Sequence, residues 1–146
     1  MLDQLGFRVR METERAALTE LYEATSGAGW RVRSGWLGAL PPCSANGTAN
    51  WGTCSAAHCA ALFDRTFSYN PECAGVCCSA AGLVSVLQLP SNQLAGPLPS
   101  IIFSGLPGLR AVAMFGNPAL IGSLPTEVGR ATALQALDTD STSMSG

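Results

Sequence analysis

Hydrophobic residues recur in the C-terminal half of the chain at a fixed spacing of 25 residues. The repeated positions form four columns, which are Val84, Leu109 and Leu134; Leu87, Val112 and Leu137; Leu89, Met114 and Thr139; and Asn92, Asn117 and Thr142. A period of this length predicts stacked repeats, because one repeat is too small to bury its own hydrophobic face. About two and a half repeats fit between residue 83 and residue 146.

Each position within a repeat has a physical reason. Leu87 and Leu89 alternate on a short predicted strand, so both side chains point to the same buried face. Asn92 and Asn117 follow the strands, where we expect their amides to satisfy backbone groups that the turn leaves unpaired. Gly96 then permits a tight bend. The pattern predicts parallel strands joined by turns that coil around one core.

The N-terminal part of the chain has a different residue pattern. Apolar residues at helical spacing predict a helix over residues 12–25, with Thr13 as its N-cap and Glu14 in its first turn. The glycines that follow, Gly27 and Gly29, are expected to stop the helix in left-handed conformations. Residues 30–82 are expected to be irregular and cross-linked.

Six cysteines lie in this irregular part and none lies elsewhere: Cys43, Cys54, Cys59, Cys73, Cys77 and Cys78. An even, clustered set predicts disulfides and an oxidising compartment, so we expect a secreted, cell-surface or lumenal protein. The adjacent Cys77 and Cys78 are expected to take different partners, and six cysteines allow 15 pairings. Asn46 begins an Asn-Gly-Thr glycosylation pattern, which fits the same compartment. No secretory signal begins the chain, so we expect it to be a fragment of a longer precursor.

The repeat resembles the plant-type leucine-rich repeat family, with the pattern L-x-x-L-x-L-x-x-N-x-L-x-G-x-L-P. The segment with Trp30 and Trp36 is similar to the N-terminal capping module of that family. The resemblance implies an α/β solenoid, in which a helical, disulfide-linked cap precedes short parallel strands in a right-handed coil. It divides the chain into an unassigned tail (1–11), a cap with a Cys-rich insertion (12–82) and repeats without a C-terminal cap (83–146). Two segments, at residues 51–54 and 75–78, each match half of the cap motif, so the cap cysteine pair stays open.

The resemblance also implies a function, namely recognition of a protein, peptide or glycan ligand through the outward positions of the strands. We call this surface the concave face, and it comprises Val86, Gln88, Pro90, Ala111, Ala113, Phe115, Ala136, Asp138 and Asp140. Phe115 is the best single candidate for a contact, although its ring could equally pack against Pro90. Receptor ectodomains and secreted binding proteins of this family fit such a surface. A longer parent chain could then carry a membrane anchor.

Composition and charge argue against several other classes of function. The net charge of −2 and the scattered arginines argue against nucleic acid, and no apolar stretch is long enough to span a membrane. We expect no cofactor, no metal and no catalysis, because His58 is the single histidine and no nucleophile can be assigned to it. A zinc-dependent enzyme is a remote alternative, since the cysteines lack paired C-x2-C spacing. The nearer alternative is a structural subunit that docks into a larger lumenal or wall-associated assembly.

Overall fold

The structure is a computed structural model, and it describes residues 2–55, 57, 59 and 73–145. Its helices with described bounds are α1 (Leu2–Ala24) and α2 (Ile101–Ser104), and its 3₁₀ turns are Gly27–Gly29 and Thr126–Arg130. Its strands are β1 (Gly75–Cys78), β2 (Val84–Gln88), β3 (Gly96–Pro97), β4 (Ala111–Ala113), β5 (Leu120–Ser123), β6 (Ala136–Asp138) and β7 (Ser143–Ser145). Among these described residues, no helix is both long and apolar enough to cross a membrane.

Helix α1 buries one face against the first repeats. Ala17, Leu18 and Leu21 lie on that face and are fully buried. The helix begins at Leu2, so the predicted start at residue 12 is wrong. Thr13 is not an N-cap, because its hydroxyl donates to the carbonyl of Val9 one turn earlier, at 2.9 Å. A threonine inside a helix commonly makes this backward bond.

The helix ends through Ser26 and not through a glycine. Ser26 is the left-handed residue, with φ of 57°, and the 3₁₀ turn Gly27–Gly29 follows it. Gly27 is needed for a different reason, since a Cβ there would overlap the ring of Tyr22. The chain can therefore fold back closely over the last turn of α1.

Four aromatic rings pack edge to face in the cap. Centroid distances are 5.0 Å from Tyr22 to Trp30, 4.9 Å from Trp30 to Trp36 and 5.5 Å from Trp36 to Trp51. The guanidinium of Arg15 lies 5.2 Å from the Trp51 ring centre and donates to the carbonyls of Gly38 and Leu40. The row links helix α1 to the segments on either side of Cys43, and it continues the hydrophobic core into the cap.

The first sheet has the strand order β1-β2-β4-β6. Strands β2, β4 and β6 are parallel, and their registers align the positions that are 25 residues apart in the sequence. The core-facing row of this alignment is Leu87, Val112 and Leu137, of which the first two are buried and Leu137 is half-buried. Strand β1 pairs with β2 in the antiparallel direction, so it joins the cap to the first repeat.

A second, parallel sheet of order β3-β5-β7 lies on the segments that follow Asn92, Asn117 and Thr142. Gly96 begins β3 with φ of +120°, a conformation that side chains rarely adopt. A Cβ at this position would also strike the carbonyl of Ala24 at the end of helix α1. The glycine thus lets the second sheet approach the cap.

The two half-motifs of the cap lie against each other. Gly52 forms an isolated antiparallel bridge with Gly75, and the Val76 amide donates to the Trp51 carbonyl at 3.1 Å. Immediately beyond this bridge, Cys54 is joined to Cys73. The insertion between the half-motifs therefore leaves and rejoins the cap at one point that a disulfide closes.

Candidate functional site

The concave face runs across three parallel strands. In the register of the sheet, Val86 lies beside Ala111 and Ala136, and Gln88 lies beside Ala113 and Asp138. The structure therefore brings the predicted residues together as columns. The exposure of these residues increases along the stack. They are buried on β2, half-buried on β4 and exposed on β6.

The expected exposure of Val86, Gln88 and Pro90 is wrong. Val86 and Gln88 are each 1% exposed, and Pro90 is buried as well. For Val86 the reason lies in the cap strand, where Cys77 stands directly opposite it. Residues directly opposite in an antiparallel pair project to the same face. The disulfide from Cys77 to Cys59 therefore lies on the concave face beside the first repeat.

The neighbouring cysteines Cys77 and Cys78 point in opposite directions. The register shifts between them, so Cys77 pairs with Val86 of the concave face while Cys78 pairs with Val84 of the core. Cys78 packs against the core and is joined to Cys43, which is 1% exposed. The expectation of disulfide bonding is confirmed, and the two neighbours take different partners.

A cleft of about 240 Å³ opens on the concave face across β2, β4 and β6. Its floor is largely apolar, and Ala111, Ala113 and Ala136 contribute only methyl groups to it. Phe115 and Asp138 also line the cleft. Small floor residues leave room above the sheet, so the cleft follows directly from the alanines in these columns.

A second cavity, of about 590 Å³, lies at the amino ends of the same strands. Ser85 and Arg110 line it together with the hairpin around Asn46 and the Cys59–Cys77 disulfide. Arg110 donates to the side-chain oxygen of Gln135 at 3.4 Å. Ser85, Arg110 and Gln135 form one more column of the repeat, which the sequence analysis missed although the 25-residue spacing marks it.

Two carboxylates stand at the carboxyl end of the concave face. Asp138 and Asp140 are exposed, and one Asp138 oxygen accepts the Asp140 amide at 3.0 Å. Neither carboxylate is paired with a basic side chain in the part of the chain that the structure describes. Their backbone carbonyls accept from Met114 and Gly116 on the neighbouring repeat, which fixes their positions.

Asn46 lies in a tight hairpin of the cap. The hairpin is closed by a bridge between Cys43 and Ala49, and the Asn46 side-chain oxygen accepts the Thr48 amide at 3.1 Å. Asn46 and Thr48 are both exposed. The hairpin leaves the acceptor amide accessible, and glycosylation of Asn46 stays a prediction.

Other predicted residues are placed as follows. Asn92 and Asn117 are fully buried behind the strands. The six cysteines are paired in three disulfides, so their sulfurs are not thiolates that could bind zinc. His58 lies outside the described residues.

Glu14 is a buried carboxyl that the sequence analysis placed in the first turn of the helix. It is 1% exposed, and its Oε2 accepts the Val84 amide at 2.8 Å. Burial raises the pKa of Glu14 to about 7, although the hydrogen bond from Val84 and the charge of Arg10 act in the opposite direction. Its spacing from Ala17 and Leu18 puts Glu14 on the buried helix face, and that spacing was the available signal.

No protein-family model matches the chain, and no curated protein matches it either. Solved structures do match it. A plant ice-binding protein aligns with a TM-score of 0.61 and 19% identity, over 91% of this chain and 34% of that protein. The leucine-rich repeat ectodomain of the receptor kinase SOBIR1 from Arabidopsis thaliana aligns with a TM-score of 0.51 and 17% identity, over 90% of this chain and 55% of that one.

The chain thus spans about a third to about half of the length of these two structures. At such identities the likeness concerns the fold alone. The described residues form a helix and short strands, cross-linked by three disulfides, in an arrangement similar to a leucine-rich repeat ectodomain. The three disulfides indicate an oxidising compartment.

Proposed function

We propose that the chain is an extracellular binding module, built as the first turns of a right-handed leucine-rich repeat solenoid, and not an enzyme. It recognises a protein, peptide or glycan ligand through the concave face. The observation that carries the proposal is the cleft of about 240 Å³ that crosses β2, β4 and β6. The three disulfides and the likeness to a receptor ectodomain support the same reading.

The cleft suits recognition for two physical reasons. An apolar group of a ligand can be buried against its apolar floor, and a few polar side chains at its margin can fix the orientation of the ligand. Neighbouring strands hold the lining residues in register, so the surface is formed before a ligand arrives. A ligand then loses little free energy to ordering the protein.

The test blocks the cleft and asks whether binding disappears. Ala113→Trp places a large ring over the floor of the cleft, whereas Ile121→Trp places it on the second sheet, where Ile121 is 49% exposed. Wild type and both variants are screened against a glycan array and a peptide library. The proposal expects ligands that Ala113→Trp loses and Ile121→Trp keeps. Ligands that ignore Ala113→Trp would contradict it.

A second candidate is binding to ice through the second sheet. The plant ice-binding protein is one structural neighbour, and strands β3, β5 and β7 present an uncharged surface here. Gly122, Ser123, Ser143 and Ser145 are all exposed on it. Recrystallisation of ice in the presence of the protein tests this candidate. Inhibition that Ser143→Arg abolishes would support it, and unchanged ice growth would exclude it.

A further inference from the structure

The two halves of helix α1 differ sharply in how they are packed. Residues 6–13 are all exposed or half-buried, whereas Ala17, Leu18 and Leu21 in the second half are fully buried. A helix of about a dozen residues is only marginally stable in water on its own. We call residues 2–13 the N-terminal arm, and its position depends on its contacts with the rest of the chain.

One such contact joins the arm to the turn before β2. A Cβ on Gly82 would lie 2.8 Å from the ring of Phe7 and 2.8 Å from the carbonyl oxygen of Ser44. The turn is therefore enclosed between the arm and the hairpin around Asn46. Phe7 is only half-buried, so the contact covers its ring incompletely.

The arm meets the packed half of the helix at Thr13. The hydroxyl of Thr13 donates to the carbonyl of Val9 at 2.9 Å. A bond of this kind competes with the backbone ladder, slightly destabilises a helix and often bends it. The helix thus has a weak point immediately before Glu14, which is the first buried residue among its described side chains.

Glu14 bonds the helix to the first repeat at this point. Its carboxyl is 1% exposed, and Oε2 accepts the amide of Val84, the first residue of β2, at 2.8 Å. A neutral carboxyl can make this bond without a counter-charge, whereas an ionised one would be a buried charge that needs a cation or water. Burial accordingly raises the pKa of Glu14 to about 7, against the effects of the Val84 bond and of Arg10.

The described surroundings of Glu14 offer little compensation for a negative charge. Arg10 acts from one turn earlier on the same helix and is itself exposed, and Arg15 donates to two loop carbonyls. The turn into β2, helix α2 with the loop after it, and the hairpin around Asn46 contain no titratable side chain; these segments are residues 79–85, 100–109 and 44–49. An ionised Glu14 therefore gains most from contact with water.

We infer that the N-terminal arm is a pH-sensitive flap, hinged at Thr13 and Glu14, that is closed when the Glu14 carboxyl is protonated and open when it is ionised. In the open form the carboxylate reaches water, and the arm leaves the Val84 amide and the turn before β2 uncovered. The packed half of the helix, with Leu18 and Leu21, stays in place. This inference does not depend on the concave face or its ligand.

The direction and size of the effect follow from the two forms. With the arm closed the pKa of Glu14 is about 7, and with the arm open the carboxyl is in water and its pKa returns to 4.5. Between these values the closed form holds a proton that the open form has lost, so a rise in pH favours opening. The opening equilibrium should increase about 70-fold from pH 5 to pH 8.

The experiment measures amide hydrogen exchange by NMR on the whole chain at pH 5 and pH 8. Each rate is divided by the rate of an unstructured peptide at the same pH, which removes the intrinsic effect of pH. Protection of the Val84 amide and of the arm amides should fall by about 70-fold between the two values. Protection of Leu18 and Leu21 should fall far less, because these residues stay packed.

Two variants of the same helix provide the controls. Glu14→Gln cannot ionise, so its arm should be equally protected at pH 5 and pH 8. Glu20→Gln removes an exposed carboxylate and should keep the wild-type fall. A fall of equal size in Glu14→Gln, or no fall in the wild-type arm, would overturn the inference.

The wild-type chain alone decides the matter if Glu14→Gln does not fold. An equal loss of protection at Leu18, Leu21 and the arm would show that the whole domain opens and that no flap exists. The carbon-13 shift of the Glu14 carboxyl gives its titration directly. A midpoint near pH 4.5 would also overturn the inference, since the carboxyl would then ionise without any need for opening.

Discussion

The side-chain oxygen of Asn117 accepts the backbone amide of Asn92, at 2.9 Å, one repeat earlier. The same oxygen accepts the Leu94 amide at 3.1 Å, and the Asn117 amide group donates to the carbonyls of Leu89 and Met114. Asn92 in turn bonds both the amide and the carbonyl of Val32 in the cap, at 2.7 Å and 2.9 Å. The two asparagines thus tie the second repeat to the first, and the first repeat to the cap.

Replacing Asn117 with Ala should therefore be strongly destabilising. Each buried polar group that loses its partner costs about 1–3 kcal/mol, so several at once give an expected loss of about 3–5 kcal/mol. Asn92→Ala should cost less, because the Asn92 side chain bonds two backbone groups, whereas the Asn117 side chain bonds five. Urea denaturation measures both. A loss under 1 kcal/mol for Asn117→Ala would show that the bonds contribute little to stability.

The repeat was predictable from the sequence because its physics is local and periodic. The spacing of Leu87 and Val112 fixed which residues would lie side by side, and the register of the sheet agrees. The exposure of Val86 was not predictable, since it depends on Cys77, a residue whose pairing with β2 is set by the fold of the cap. The period describes one repeat against the next, and it contains no information about the cap.

The start of helix α1 could not be predicted from the sequence pattern either. Residues 2–11 contain Gly6 and alternating Val and Arg, which is a poor helical pattern. A Cβ on Gly82 would contact the ring of Phe7 at 2.8 Å, so this part of the helix packs against the turn before β2. Tertiary packing of this kind overrides local propensity and leaves no periodic signal.

The three cap tryptophans should differ in the cost of losing their indole N–H. Trp30 donates to Thr25 at 3.1 Å and Trp51 donates to Leu40 at 2.9 Å, whereas Trp36 has no acceptor among the described residues. Trp36→Phe should then destabilise by about 1 kcal/mol less than Trp51→Phe, since only the latter loses a hydrogen bond. Unfolding in urea, followed by circular dichroism, compares the two. Equal losses of stability in the two variants would mean that the indole hydrogen bond does not contribute and that only ring packing matters.

The disulfides predict which thiol each substitution releases. Cys43→Ala should free Cys78, and Cys59→Ala should free Cys77, although the two freed residues are adjacent. Alkylation followed by fragment mass spectrometry locates the label at one residue or the other. A label on Cys77 in the Cys43→Ala protein would contradict the pairing.

The same disulfides should differ modestly in stabilisation. The Cys43–Cys78 bond closes a separation of 35 residues, and the Cys59–Cys77 bond closes 18. Chain entropy gives about 4 kcal/mol for the longer loop and about 3 kcal/mol for the shorter one. Thermal unfolding of the two double-alanine variants tests the order, and a reversed order would rule out loop length as the deciding factor.

Glu14 should make the stability depend on pH in an unusual direction. Its pKa is raised from 4.5 to about 7 in the folded chain, chiefly by burial. Between these two values the folded state holds a proton that the unfolded state has lost. The free energy of unfolding therefore falls as pH rises through this window, by at most about 3 kcal/mol, and this contribution is constant below and above it.

Glu14→Gln isolates this contribution, because glutamine keeps an oxygen that can accept the Val84 amide and cannot ionise. The variant should be more stable than wild type at pH 8, and the difference should vanish near pH 4. Glu20→Gln, on the exposed side of the same helix, serves as the control and should follow wild type across the range. Urea unfolding at each pH gives the difference between the curves. A Glu14→Gln curve parallel to wild type from pH 4 to pH 8 would show that the buried carboxyl does not titrate in this window.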